Sequence, residues 1–406
     1  IINKIKMVRK VDNNKSGLPD FSNTEIAFAA KSDAALKKAA RLFGTMNKKW
    51  LVDLSAPLGL IAMKWKLPFI KWIAKATVFD QFVGGTTLLK TMPVINQLYE
   101  SNILTILDYG AEGRDTEKGY NQSMNEFIRA IEFAATNDST PIVVVKISSL
   151  TRHSLLESIQ NGESLNIKTR RDYRSLLKRV DAICHVSAEQ GVSVFFDAEE
   201  SWIQNTIDHL VLLMMRRYNQ KRVVVYNTYQ MYRHDRLQFL IDNFSYAEET
   251  GFMIGAKLVR GAYMDKERSR AKEMGYNSPI QIDKAATDDG YNMALRFCLD
   301  NYEKIAICNA THNQASCLLM AELMEKNNIS RDHPHALFCQ LYGMSDHLTY
   351  NLAHAGFLAA KYVPYGLIED VFPYLVRRAQ ENTAVVGDMS REYGFVKKEL
   401  DRRKLE

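Results

Sequence analysis

From about residue 100 onward, short β-branched runs alternate with longer stretches of helical periodicity. The runs are ILTILD (103–108), PIVVVKIS (141–148), VSVFFDA (192–198), VVVYNTY (223–229), MIGAKLVR (253–260), IAICNA (305–310), HALFCQL (335–341) and AAKYVPY (359–365). Their near-continuous apolar character marks strands buried on both faces of a parallel sheet. Between them, Met124, Phe127, Ile128, Ile131 and Ala135 recur at helical spacing, as do Leu176, Val180, Ile183 and Cys184. The second of these helices stops at Gly191, a residue suited to a left-handed cap before the next strand. Eight strand–helix units predict an α/β fold, a (β/α)8 TIM-type barrel. The competing doubly wound fold would carry a Gly-rich phosphate turn after its first strand, and no G-x-G-x-x-G is present. Residues 1–100 read as an N-terminal helical arm and residues 101–406 as the barrel.

Composition narrows the class. The chain has 406 residues, 46% hydrophobic and 25% charged, enough to bury a large core. A net charge of +6, from 53 basic and 47 acidic residues, is too small an excess to point to nucleic acid. The five cysteines (Cys184, Cys298, Cys308, Cys317, Cys339) form no C-x-x-C pair, which predicts free, mostly buried thiols in a reducing compartment. The opening IINKIKMVRK lacks the apolar core and cleavage site of a secretory signal peptide. A trimmed mitochondrial presequence stays open, because the chain does not begin with Met. No uninterrupted apolar window of about 18 residues predicts a membrane span. Residues 55–79 come nearest, broken by Lys64, Lys66, Lys71, Lys75, Pro57 and Pro68. They read either as a helical arm on the protein's own surface or, through Trp65 and Trp72 beside those lysines, as a membrane-interface segment.

Barrel enzymes carry their chemistry at the carboxyl ends of the strands. Those positions hold Asp108 and Glu112, Lys146, Asp197 with Glu199 and Glu200, Asn227 and Gln230, Lys257 and Arg260, Thr311, His312 and Asn313, Gln340, and Tyr362. A charge inside an apolar strand is costly unless paired, which singles out Lys146. It reads as an anion clamp, a Schiff-base amine, or half of a structural ion pair that Asp197 could complete. After the eighth strand, Arg377 and Arg378 share a helical stripe with Tyr374 and Glu381. Adjacent guanidinium groups suit bidentate capture of a carboxylate, and the plainer reading is a surface Arg–Glu pair. No metal-ligand spacing such as H-E-x-x-H and no G-x-S-x-G elbow is present, so no metal is expected.

Taken together, these residues resemble the proline dehydrogenase family, including the catabolic barrel domain of the proline utilisation proteins. The resemblance covers roughly residues 100 to 390. It rests on KLVRGAY (257–263), THN (311–313) and YVPYGLIEDVFPYLVRRAQEN (362–382), supported by VVVKIS, FFDAEE, YNTYQ and LDYGAE. It implies noncovalent FAD, which accounts for the absent Gly-rich turn, and a monofunctional enzyme, since the chain has no room for an aldehyde dehydrogenase half. Arg377 and Arg378 would grip the proline carboxylate from a final helix over the barrel mouth, with Lys146 as a third cation. Tyr362 would pack against the pyrrolidine ring, and Glu112 and Glu381 would border that region. Asp197 with Ala198 would lie below the flavin, joined by Asn227, Gln230, Lys257, Arg260, Gly261, Ala262, Tyr263, Thr311, His312, Asn313, Gln340, Arg378 and Glu381.

Two positions qualify the resemblance. Many bacterial members have arginine where this chain has Lys257, so the charge is kept and the fork geometry is not. Members that prefer hydroxyproline tend to have a small residue where this chain has Tyr362, which favours proline. The implied reaction moves hydride from proline C5 to flavin N5, with Lys146, Asp197 and Lys257 as the catalytic set and Lys257 supplying positive charge. Electrons would pass to a membrane quinone, and a separate pyrroline-5-carboxylate dehydrogenase would take the product. The expected location is the inner face of a bacterial cytoplasmic membrane, or alternatively the matrix side of the mitochondrial inner membrane. Two other classes fit the residues less fully: a Schiff-base lyase built on Lys146, which leaves KLVRGAY and THN unexplained, and a non-catalytic barrel, which gains nothing from so many charged strand ends.

Overall fold

The structure is a computed structural model that describes residues 17–47, 59, 65, 72, 74–110, 115–372, 375–376 and 388–405. Eight strands close into a barrel in chain order, from β1 to β8. They are β1 (Ile103–Tyr109), β2 (Ile142–Val145), β3 (Ser193–Phe196), β4 (Val225–Gln230), β5 (Ile254–Val259), β6 (Ile305–Ala310), β7 (Ala336–Leu341) and β8 (Ala359–Tyr365). Each falls within one of the eight apolar runs or overshoots it by a residue. The pairings β1–β8, β2–β3, β3–β4, β4–β5 and β5–β6 are all parallel. Every residue of β2, β3, β4 and β8 is buried, as expected for strands with side chains on a barrel interior and against outer helices.

The chain divides into two compact units, one carrying Gly113–Phe338 and the other Val11–Glu112 with Cys339–Glu406. In the first, the helices are α4 (Glu117–Ala135), α5 (His153–Gln160), α6 (Ile167–Gln190), α7 (Ser201–Tyr218), α8 (Arg236–Thr250), α9 (Met264–Met274), α10 (Lys284–Asp300) and α11 (Gln314–Lys326). Helix α6 ends at Gly191 with φ 75°, the predicted left-handed cap, and its amide returns to the Ser187 carbonyl. The apolar stripe of α6, with Leu176, Val180, Ile183 and Cys184, is fully buried. All five cysteines are buried and none is in a disulfide.

In the second unit, α1 (Thr24–Phe28), α2 (Asp33–Met46) and α3 (Leu88–Glu100) precede β1, α12 (Asp346–His354) lies between β7 and β8, and α13 (Asp388–Arg402) closes the chain. Helix α13 packs on α2 around Phe28, Leu36, Phe43, Met46 and Val396, each burial of an aromatic or aliphatic side chain contributing about 1.5–3 kcal/mol. Arg403, just past α13, ties this helix to the α1–α2 turn through the carbonyls of Phe28 and Lys31. Helix α3 packs on β1 and β8, and Gly84 donates to the Pro364 carbonyl. Among the described residues, no helix is long and apolar enough to cross a membrane.

Candidate active site

In the first unit, the charge at the end of β5 is held from β3. Lys257 is 6% exposed, and its Nζ lies 2.5 Å from Asp197 Oδ1 and 5.7 Å from the Phe195 ring centre. Asp197, considered above as a partner for Lys146, thus has Lys257. Lys146 itself corrects the sequence reading. Strand β2 stops at Val145, and Lys146 begins a 3-10 turn over Ile147–Ser149, half-buried at the strand end and not inside the strand. The turn forms because the Ser148 amide is claimed by the Glu199 carboxylate at 2.9 Å and the Ser149 hydroxyl by the Lys146 carbonyl at 2.6 Å. Glu199 is 4% exposed, and burial pushes its carboxyl up, partly offset by that Ser148 hydrogen bond.

The amides of β4 are committed to the protein. Asn227 donates from Nδ2 to Asp208 at 2.8 Å and accepts the Thr228 amide on Oδ1, while Gln230 donates to the Glu199 carbonyl at 2.7 Å. A cofactor would therefore meet the remaining capacity of each amide. At the end of β5, Arg260 is fixed on three sides. Its Nε donates to Asp288 at 2.7 Å, and its two terminal nitrogens donate to the hydroxyls of Thr311 at 2.6 Å and Ser316 at 3.0 Å. The guanidinium also stacks 4.4 Å from the Tyr291 ring centre. Although burial works the other way, hydrogen bonds from Lys284 and Arg260 hold the Asp288 carboxyl below its usual range.

Gly261 has φ 133°, and an added Cβ would lie 2.4 Å from the Tyr232 ring, so both conformation and space require glycine there. Ala262 follows half-buried, and Tyr263 begins α9, its carbonyl accepting the Glu267 amide. Thr311 and His312 lead to Asn313, whose side chain caps α11 by accepting the Ser316 amide at 3.1 Å. The amino end of α11 and Arg260 thus lie together, an arrangement suited to a pyrophosphate-sized anion.

In the second unit, Gln340, next to last in β7, accepts the Thr349 hydroxyl at 2.8 Å, and Tyr362 lies in β8 opposite Ile106, 6% exposed. Beside it, Lys361 is 1% exposed and bonds Asp346 at 2.8 Å, and Asp346 also pairs with Lys31. Sequence reasoning missed Lys361, although a lysine inside AAKYVPY was the same signal used for Lys146. It also passed over Gln204, Asp208, Arg236, Asp288 and Ser316, because helix residues give no sign of facing strand ends until the helices are placed. His153, Glu199 and Glu200 bring one ligand atom each within 4.8 Å of one another, but Glu200 pairs with Lys266 and Glu199 with Ser148. Glu112, Arg377, Arg378, Glu381 and the helix meant to cover the mouth at those arginines lie outside the described residues.

A closed parallel barrel with cations, amides and a capped helix start at its strand ends is the architecture of a (β/α)8 enzyme. Comparison with known proteins then specifies which kind. The proline dehydrogenase family model matches residues 91–391. The carbapenem antibiotics biosynthesis protein CarD of Pectobacterium carotovorum subsp. carotovorum is 33% identical over 322 residues, covering 79% of this chain and 83% of that protein. The mitochondrial proline dehydrogenase 1 of Dictyostelium discoideum is 30% identical over 412 residues, covering 91% and 71%. A crystal structure of proline utilization A from Bdellovibrio bacteriovorus matches in fold with a TM-score of 0.69 at 20% identity, covering 95% of this chain and 41% of that one. The chain belongs to the proline dehydrogenase family and is an oxidoreductase.

Proposed function

We propose that this chain oxidises L-proline to 1-pyrroline-5-carboxylate as the first step of proline catabolism, with hydride passing from proline C5 to N5 of a bound FAD and the electrons going on to a membrane quinone. The observation that carries the reading is Arg260, held by Asp288, Thr311 and Ser316 at the amino end of α11. The donor set fits FAD: a fixed guanidinium and free helix amides for the pyrophosphate, and a buried ammonium at Lys257 for the flavin ring. FAD, when bound, supplies the hydride acceptor that no side chain can provide.

The protein's part is holding and orienting. Arg377 and Arg378, with Lys146 as third cation, would bind the proline carboxylate, and that clamp fixes where C5 points. Tyr362 would bound the pyrrolidine ring and disfavour a 4-hydroxyl. Lys257 would set positive charge where electrons arrive, its position held by Asp197. Oxidation removes one hydride from C5 and one proton from nitrogen, and the proton leaves to solvent before or as the C=N bond forms. Asn227, Gln230, Gly261, Ala262, Tyr263, His312, Asn313 and Gln340 complete the proposed flavin contacts.

The exposure of Trp65 (72%) and Trp72 (71%) supports peripheral membrane contact near the quinone, in a bacterial cytoplasmic membrane or at a mitochondrial inner membrane. A separate pyrroline-5-carboxylate dehydrogenase would consume the product. Incubating the purified chain with proline, FAD and an artificial electron acceptor should yield a product two mass units lighter than proline. Recovery of unchanged proline under those conditions would overturn the reading.

A further inference from the structure

The first two turns of α7 place two polar side chains where an apolar stripe is expected. Gln204 and Asp208, four residues apart, are 1% and 2% exposed among Ile203, Ile207, Leu210 and Val211. Both are fully engaged. The Glu199 amide donates to Gln204 Oε1 at 2.7 Å, and Gln204 Nε2 donates to Asp208 Oδ1 at 2.8 Å. The same oxygen accepts Asn227 Nδ2 at 2.8 Å, and Asp208 Oδ2 accepts Arg236 at 2.6 Å. Arg236, 5% exposed, is also bound by Asp235 and lies over the Phe239 ring.

The chain of bonds ends at three strand ends. Through Asn227 it reaches β4, where the Asn227 side chain takes the Thr228 amide and the Thr228 hydroxyl donates to the Phe196 carbonyl that ends β3. Through Gln204 it reaches Glu199, which holds the Ser148 amide beside Lys146 and accepts Gln230 on its carbonyl. The amino end of α7 is fixed independently, since Glu267 of α9 takes both the amide and the hydroxyl of Ser201 at 2.6 Å. A buried carboxylate with three hydrogen-bonded partners is expensive to keep and easily replaced by an apolar pair where only stability is needed.

We propose that Asp208 is a positioning residue: held by Gln204 and Arg236, it orients Asn227 and sets the register of the β2, β3 and β4 ends against which the flavin lies. The flavin half of this statement rests on the function proposed above; the register half does not. The same helix supplies a control. Asn219, at its carboxyl end and fully buried, bonds the Val224 and Val225 amides and the Val225 and Met253 carbonyls, at the amino ends of β4 and β5.

The test compares Asp208→Asn, the milder Gln204→Met, and Asn219→Ala in the full chain by amide hydrogen exchange and by FAD titration followed through flavin fluorescence. The expected result is faster exchange at residues 146–150, 198–204 and 227–231 in both α7 rim variants and not in Asn219→Ala, whose own effect falls at Val224 and Val225. The FAD dissociation constant should rise about 10- to 100-fold in Asp208→Asn, with Asn219→Ala unchanged at matched loss of stability. Unchanged exchange at those segments in Gln204→Met overturns the proposal, as does an equal loss of FAD affinity in Asn219→Ala. If the unsubstituted chain takes up no FAD while the exchange pattern holds, the functional reading falls and the register role stands.

Discussion

Replacing Lys257 by methionine keeps the stem of the side chain and removes its charge. The ammonium lies 2.5 Å from Asp197 Oδ1, and the two side chains are 7% and 16% exposed, so little solvent screens the carboxylate left behind. Breaking a buried pair from one side costs about 3–5 kcal/mol, and loss of the contact with the Phe195 ring adds roughly 0.5–1 kcal/mol. For 406 residues the unfolding entropy is roughly 0.85 kcal/mol/K, so the melting temperature should fall by about 4–7 °C. Asp197→Asn should cost a similar amount, because it removes the carboxylate that the buried ammonium pairs with. The double variant Lys257→Met/Asp197→Asn should recover most of the loss, since neither charge is then left alone. Lys257→Arg keeps the charge and should lose least. Thermal melts and urea titrations of the four proteins measure these differences. Single substitutions costing under about 1 kcal/mol, or a double variant whose loss is the sum of the singles, would refute the argument.

Three other outcomes follow from particular side chains. Burial, with the Asp346 charge adding, pushes the Glu392 carboxyl up to about 7 against the opposing Lys361 and Arg391. An acid raised from 4.5 in the unfolded chain loses stability as pH climbs from 4.5 through about 7, here by about 3 kcal/mol. Glu392→Gln should therefore raise the melting temperature at pH 8 and leave it nearly unchanged at pH 4, and parallel pH profiles would contradict this. Gly261→Ala must accept φ 133° and a Cβ against the Tyr232 ring, so it should lose roughly 2–4 kcal/mol in urea titration. Tyr362→Ser should raise the KM for proline and narrow the proline-to-hydroxyproline ratio of kcat/KM; an unchanged ratio would remove Tyr362 as the specificity residue.

Much of the barrel could be read from the chain because strands buried on both faces leave a continuous apolar signature, as in IVVV of β2 and SVFF of β3. The exact ends could not. Lys146 looked internal to its strand because periodicity does not register that Glu199, 51 residues beyond Ser148 in sequence, takes the Ser148 amide. The pairing of Asp197 with Lys257 was not legible for the same reason: which side chains meet between strands depends on strand register. Polar groups on helices, such as Asp208 and Asp288, carry no local sign of their role, because an acidic residue on a helix is ordinarily solvated. Arg260 and the THN turn were legible through their motif, and their joint geometry became visible only with β5, β6 and α11 in place.

The most direct test of the account is the visible absorbance spectrum of the purified chain loaded with FAD, recorded without oxygen before and after adding proline. A flavin spectrum that bleaches with proline and poorly with hydroxyproline is the predicted result. A protein that takes up no flavin, or whose flavin stays oxidised with proline, would contradict it.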